Sequence, residues 1–451
     1  MSRFINADRT TPYLLPPSVQ DWLPEGHLAR FVAEIVGQLD LTEMVRQYAG
    51  CGSAAHHPGI LLGMLIYGYA TGVYSSRKIE RASYDSIAFR YLAANTHPDH
   101  DTLATFRRRF LPQVEKLFVQ VLEIAHEMKL AKLGQIALDG TKIKASASKH
   151  KALSYGHAQK IEVQLKEEVK TLIARAEAAD REAIADGMDI PAEIARREAL
   201  LEAIAQAKNK IAERAAQRHI AEREEFEAKQ AKRQAQREAG KKPRGKDPEP
   251  PQSGPGDKDQ INLTDEESRI MPTTGGSFEQ CYNAQAAVDT QTMLIVSPFV
   301  TQATNDKQQM EPALNKLTAL PQVFGRPSGI LADSGYFSAA NVTACIAHQI
   351  EPLLAVQRES HHIPIFDRFA PDAPAPETEN AVMRMTHRLT TQAGRALYAL
   401  RKQTVEPVFG IIKHVMGFRQ FSLRGLEKVT GEWTLVALAW NVKRMNVLRM
   451  G

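Results

Sequence analysis

Gln135-Ile136-Ala137-Leu138-Asp139-Gly140 is where the chain changes character. The run is short, apolar and ended by a glycine, which reads as a β-strand closed by a turn, and Thr141-Lys142-Ile143-Lys144-Ala145 follows it. Upstream, from Leu23 to about Leu130, apolar residues recur every three or four positions, as in Phe31, Ile35 and Leu39. That spacing predicts helices. Downstream, strand signals return only after Asn262: Tyr282 to Val288, then Met293 to Thr301, with Asp289-Thr290-Gln291 as a hairpin loop. An amphipathic helix from Asp306, the strand Gly329-Ile330-Leu331-Ala332-Asp333, a helix from Ala339 to His348, a strand from Pro352 to Val356 and a helical C-terminus complete the series.

The order strand, insertion, strand, strand, helix, strand, helix, strand, helix predicts an α/β fold with a mixed five-stranded sheet flanked by helices. The ribonuclease H-like fold has this order. Between the first two strands, residues 158–240 are rich in Ala, Glu, Lys, Arg and Gln, with Ile161, Leu165, Val169 and Leu172 on one face. Asp186, Gly187 and Pro191 interrupt the run, so a long helical-hairpin insertion is expected. Residues 241–261 hold Lys-Pro-Arg-Gly-Lys and Pro-Glu-Pro-Pro with almost nothing apolar to bury, which reads as a disordered linker. The expected division is an all-α N-terminal DNA-binding domain over 1–130, a split core over 131–157 and 262–451, and the insertion and linker between its halves.

The bulk properties are permissive. A chain of 451 residues with net charge +5 is large enough for two or three domains and mildly basic. No apolar run approaches the ~18 residues of a membrane span. The first twenty residues, with Arg3, Asp8 and Arg9, do not read as a secretory signal, so a cytoplasmic protein is expected. Cys51, Cys281 and Cys345 match no metal spacing, and His56-His57, His97 with His100, and His361-His362 lack the spacing of a zinc pair. No Gly-rich phosphate loop points to a nucleotide cofactor. In the N-terminal helices Arg77, Arg81, Arg107 and Arg108 cluster with short helices and tight turns, a pattern shared by helix-turn-helix DNA-binding modules and by bundles with a solvated basic face.

Asp139 and Asp333 each end an apolar strand and are followed at once by chain-turning residues, Gly140 and Ser334-Gly335. A single carboxylate in such a place is ordinarily a turn former. Two on neighbouring strands of one sheet are better explained as a site for Mg²⁺, which prefers oxygen ligands. Such ions can assist in-line displacement at phosphodiesters. Asp289 reads as a hairpin-turn residue and Asp306 as a helix cap. Glu406 lies in the amphipathic segment Tyr398 to Gly410, where a lone glutamate is ordinarily solvated, and Pro407 disfavours a helical conformation for it.

Asp139-Gly140-Thr141-Lys142, Tyr282-Asn283-Ala284-Gln285, Asp333-Ser334-Gly335-Tyr336 and Val405-Glu406-Pro407-Val408-Phe409-Gly410 together resemble the DDE transposases of bacterial insertion sequences. They are most similar to the branch of the IS-four and IS-five superfamily with a helical N-terminal domain. The resemblance continues through Gly417 to Phe421, Arg424-Gly425-Leu426 and Glu432 to Asn441 and Arg444. It implies that Asp139, Asp333 and Glu406 are catalytic and bind Mg²⁺ or Mn²⁺, and that Tyr398, Arg401 and Lys413 grip DNA phosphate. Relatives place three residues between arginine and glutamate. That is the spacing of Lys402 here, while Arg401 has four. Lys142 and Lys144 are expected to neutralise phosphates as well. The implied partners are double-stranded DNA, as terminal inverted repeats and target, and a second copy of the chain when on DNA. A nuclease without strand transfer and a catalytically silent DNA-binding protein are the alternatives.

Overall fold

The computed structural model describes residues 18–48, 50, 54–179, 189–240, 242–243, 245–273, 276–357 and 371–450. Cys51, Asp186-Gly187, His361-His362 and the first seventeen residues lie outside the described residues. The chain divides into two compact units, residues 1–146 with 270–451, and residues 147–269.

In the larger unit, seven α-helices precede the sheet among the described residues: α1 (Leu28–Gln38), α2 (Thr42–Arg46), α3 (Pro58–Thr71), α4 (Ser76–Asp85), α5 (Ile87–Leu92), α6 (His100–Phe110) and α7 (Val114–Glu127). α3 starts with Pro58 in its first turn, where a missing N–H costs nothing, and the His57 ring accepts from the Gly59 N–H. From Ile60 to Ala70 every residue of α3 is buried. A helix apolar on all sides has to be covered on all sides, and this one runs through the middle of the helical layer.

The sheet is built from β1 (Gln135–Lys144), a short β4 (Arg269–Pro272), β5 (Phe278–Asp289), β6 (Ile295–Thr301), β7 (Gly329–Ala332) and β8 (Glu351–Leu354), in the order β4-β5-β1-β7-β8 with β6 also on β5. The five expected strands are therefore joined by a sixth, β4. β1 is antiparallel to β5, and β7 is parallel to β1 and β8. This mixed sheet with β1 at its centre is an RNase H-like core. α10 (Met310–Thr318) and α11 (Ala339–Ala347) connect the later strands, and α12 (Ala381–Thr390), α13 (Gln392–Gly410) and α14 (Leu426–Leu448) close the chain.

α14 joins the helical layer to the sheet. It packs against α1, α3, α7 and β6, and Trp433, Leu435, Val436 and Leu438 are all buried. Residues the motifs had singled out turn out to hold this joint. Asn441 donates to the Ile295 carbonyl at 2.7 Å and accepts from its N–H at 2.9 Å, pinning the start of β6. Arg444 donates to the Thr292 carbonyl in the preceding loop. Glu432, fully buried, accepts from the Tyr69 hydroxyl of α3 and from the Ser422 and Leu423 N–H groups.

The smaller unit is a helical hairpin, α8 (Tyr155–Ala179) and α9 (Ile190–Glu238), with a two-stranded ribbon of β2 (Ala152–Ser154) and β3 (Gln260–Asn262). Ion pairs Glu168–Arg197 and Glu162–Lys208 show that the helices run antiparallel. Their seam is a core of Leu153, Ala158, Leu165, Ile204, Ala207, Ile211 and Ile261. Past Ala215 α9 has no buried residue and carries i,i+4 ion pairs such as Arg223–Glu227. The described part of 241–261, expected as a disordered linker, is tied to α9 by Arg237–Asp247 and Arg218–Asp259, and its end forms β3. Charge pairs supply anchors there that hydropathy does not register.

Candidate active site

Parallel pairing of β1 with β7 runs only from Gln135 to Ala137, opposite Gly329 to Leu331, after which the two strands separate. Asp139 and Asp333 come just beyond, at the carboxyl ends of the pair. In open α/β sheets this is where strands part and ligands bind. Asp139 does not end its strand as expected. β1 continues to Lys144 because β5 pairs with it from Ile136 to Lys144. Asp333 does follow the last residue of β7, and its carboxylate accepts from the Gly335 N–H at 2.9 Å, closing a turn over Ser334–Tyr336.

Glu406 reaches the site from α13. It is helical, although Pro407 follows, and Pro407 sits inside the helix. Packing overrides the local preference: Thr404, Val405, Val408 and Phe409 are buried around it. Arg401, one turn earlier, donates to Asp139 at 2.9 Å through Nη1 and meets Glu406 at 3.1 Å through Nη2. The guanidinium is 10% exposed, Asp139 17% and Glu406 49%. Burial pushes the Asp139 carboxyl up to about 6, against the pull of Arg401, and the nearby Asp333 charge adds to the rise.

After α13 the chain widens into a π-helical turn, Ile411–Val415. One extra residue per turn re-aims a side chain, and Lys413 donates from here to the Lys142 carbonyl on β1 at 3.0 Å. Lys142 extends beside it, its Nζ 3.9 Å from Asp306 and without a hydrogen-bond partner among the described residues. Burial lowers the proton affinity of both amines. Lys144 is more exposed and pairs with Glu279 at 3.0 Å.

Several expectations for DNA contact change. Tyr398 is buried in a cluster with Leu331, Leu353 and Ala355, so its ring packs in the core on the side of α13 that carries Arg401. Arg401 meets both Asp139 and Glu406, while Lys402 is exposed on α13. Arg107 points inward and donates to the Tyr69 hydroxyl and the Tyr74 carbonyl, both at 3.2 Å. Arg77, Arg81 and Arg108 are exposed.

Asp306 does not cap a helix, since α10 begins at Met310 with Gln309 as its cap. Its carboxylate instead accepts from Asn283 at 2.7 Å and Gln285 at 2.6 Å. The signal for this was present in β5, where two amides interrupt an apolar strand that had to be buried. Asp289, by contrast, holds its hairpin, accepting from the Gln291 and Thr292 N–H groups.

Residues 253–442 match the family model described as a transposase DDE domain, and residues 17–109 match the transposase domain (DUF772). The chain is a DDE transposase of insertion-sequence type. The first match holds Asp306, Asp333 and Glu406; Asp139 lies outside both matches and joins through the β1–β7 pair. No curated protein and no solved structure matches the chain. DDE transposases act on DNA and generally use divalent metal ions. Among the described residues no three His, Cys, Asp or Glu side chains stand close enough to hold one as placed, and no helix is long and apolar enough to cross a membrane. The donor set nevertheless fits a hard cation, being all carboxylate oxygen. Arg401 now supplies positive charge between Asp139 and Glu406, and would have to yield for an ion to bind both.

Proposed function

We propose that this transposase, of the IS-four and IS-five branch with a helical N-terminal region, cleaves DNA at element ends and joins them to target DNA. Asp139, Asp333 and Glu406 would hold Mg²⁺ or Mn²⁺. The observation that carries the reading is the convergence of Asp139 and Asp333 at the diverging ends of β1 and β7, with Arg401 linking Asp139 to Glu406. Bound divalent ions supply positive charge to the entering and leaving oxygens of an in-line displacement. In the first step water attacks the phosphodiester at the element end, forming one P–O bond and releasing the 3′ oxygen as a hydroxyl. In the second that hydroxyl attacks a target phosphodiester, so one carboxylate set serves both.

Lys142, Lys144 and Lys413 would lie along the DNA backbone as phosphate partners, with Arg401 freed toward a phosphate once an ion takes its place. Arg77, Arg81 and Arg108 would meet DNA from the helical layer, whose residues recognise the terminal inverted repeats. The split into a 1–130 DNA-binding region, a core over 131–157 and 262–451, and the hairpin insertion is retained as a functional division. Pairing two ends calls for a dimer on DNA, in the cytoplasm.

The test is a duplex carrying the inverted repeats that flank the coding region, incubated with Mg²⁺ or with chelator. Cleaved and joined products are expected with Mg²⁺ only, and neither from the Asp333→Asn variant. A pre-cleaved end that is never joined would favour the plain nuclease, and cleavage retained by Asp333→Asn would remove Asp333 from the reaction.

A further inference from the structure

Asp306 sits behind the proposed metal-binding face, close to Gly140 of β1 and to the turn after Asp333. Side chains alternate along β1, so Asp139 faces α13 and Arg401 while Gly140 and Lys142 face the other way. A Cβ at Gly140 would lie 2.7 Å from the Asp306 carboxylate, 2.8 Å from the Asn283 side-chain oxygen and closer still to Gln285. Only a glycine lets that network come so near the residue after Asp139. A Cβ at Gly335, in the turn after Asp333, would be 3.9 Å from the Asp306 Cβ.

The links continue through hydrogen bonds. Gln285, directly opposite Gly140 on β5, donates to Asp306 and accepts from the Tyr336 hydroxyl, and Tyr336 belongs to the Asp333 turn. Asn341 donates both to the Tyr336 carbonyl at 2.6 Å and to the Lys307 carbonyl at 2.8 Å, fastening the Asp306 loop to the same turn.

We infer that Asp306 is a positioning residue, which fixes the spacing of Asp139 and Asp333 by bracing the β1 backbone at Gly140 and the turn that follows Asp333. This rests on the proposal that those two aspartates bind metal. It differs from a fourth ligand, because Asp306 approaches from the far face of β1, where its Oδ1 accepts from both Asn283 and Gln285. Outer partners of metal ligands typically account for a 10- to 100-fold change in affinity.

The test is Mn²⁺ binding by calorimetry on the full chain without DNA, with thermal melting recorded in parallel. Asp306→Ala is expected to weaken Mn²⁺ binding about tenfold or more. Asp306→Asn should recover most of it, since an amide oxygen still accepts from Asn283 and Gln285. Asn283→Ala, which leaves Asp306 in place, should weaken binding in the same direction, and decides the matter if Asp306→Ala does not fold. Unchanged affinity in Asp306→Ala with a lowered melting temperature would reduce the residue to a fold role and overturn the inference. An Asp306→Asn variant as weak as Asp306→Ala would overturn it too, by making charge and not geometry the cause. Asp139→Asn is the control for the underlying reading: if it binds Mn²⁺ like the wild type, the metal assignment fails and the inference goes with it.

Discussion

Asp139 carries the site's electrostatic tension. Its carboxyl is raised by burial from 3.8 to about 6, so the folded chain takes up that proton more readily than the unfolded chain. Between those two values the metal-free protein therefore loses stability as pH rises, because an ionised buried carboxylate costs more than a protonated one. Metal binding has the opposite slope, since a ligand must be deprotonated. Mn²⁺ affinity by calorimetry is expected to climb from about pH 5 to about pH 7 and then level off. A flat profile would take Asp139 out of the ligand set. Glu432 is the second residue under tension. Glu432→Ala would strand the Tyr69 hydroxyl and two N–H groups, a loss of about 3 kcal/mol in urea unfolding, with metal affinity unchanged.

The elements show where local preference yields to context. β1 could be recognised from Gln135 to Asp139, but its extension to Lys144 depends on β5, which lies far along the chain. α13 runs through Pro407 because buried neighbours hold it, and the π turn after it could not be read from residue types. Ser86 stands at the N-cap of α5, and Asp99 caps α6 by accepting from the Thr102 N–H at 2.6 Å. The end of α3 offers a test at this scale. Gly72 has φ +84°, and a Cβ there would lie 2.7 Å from the Met416 carbonyl beside the π turn. Gly72→Ala is expected to cost about 1–2 kcal/mol or more by thermal melting, and an unshifted melting temperature would show that the α3 end readily moves away.

In the whole molecule, covalent order and packing order disagree. The N-terminal helices come first in the chain, yet they share a core with the last helix, α14, in one compact unit. Deleting residues 1–130 should expose the apolar faces of α14 and leave the remainder insoluble or molten by near-ultraviolet circular dichroism. The 147–269 fragment has its own seam, so it should fold alone and show a cooperative helical melt. On DNA, Lys142→Ala and Lys413→Ala are each expected to lower the salt dependence of binding by about one counter-ion; an unchanged slope would place the duplex elsewhere. The sequence by itself determined the order of the main strands and helices and the helical insertion, because periodicity is a local signal. It did not determine that Arg401 would lie between Asp139 and Glu406, that Tyr398 and Arg107 would turn inward, or that Asp306 would accept from Asn283 and Gln285 on β5. Those outcomes depend on which side chains meet across the sheet and the α13 face, and such meetings exist only once distant strands have paired.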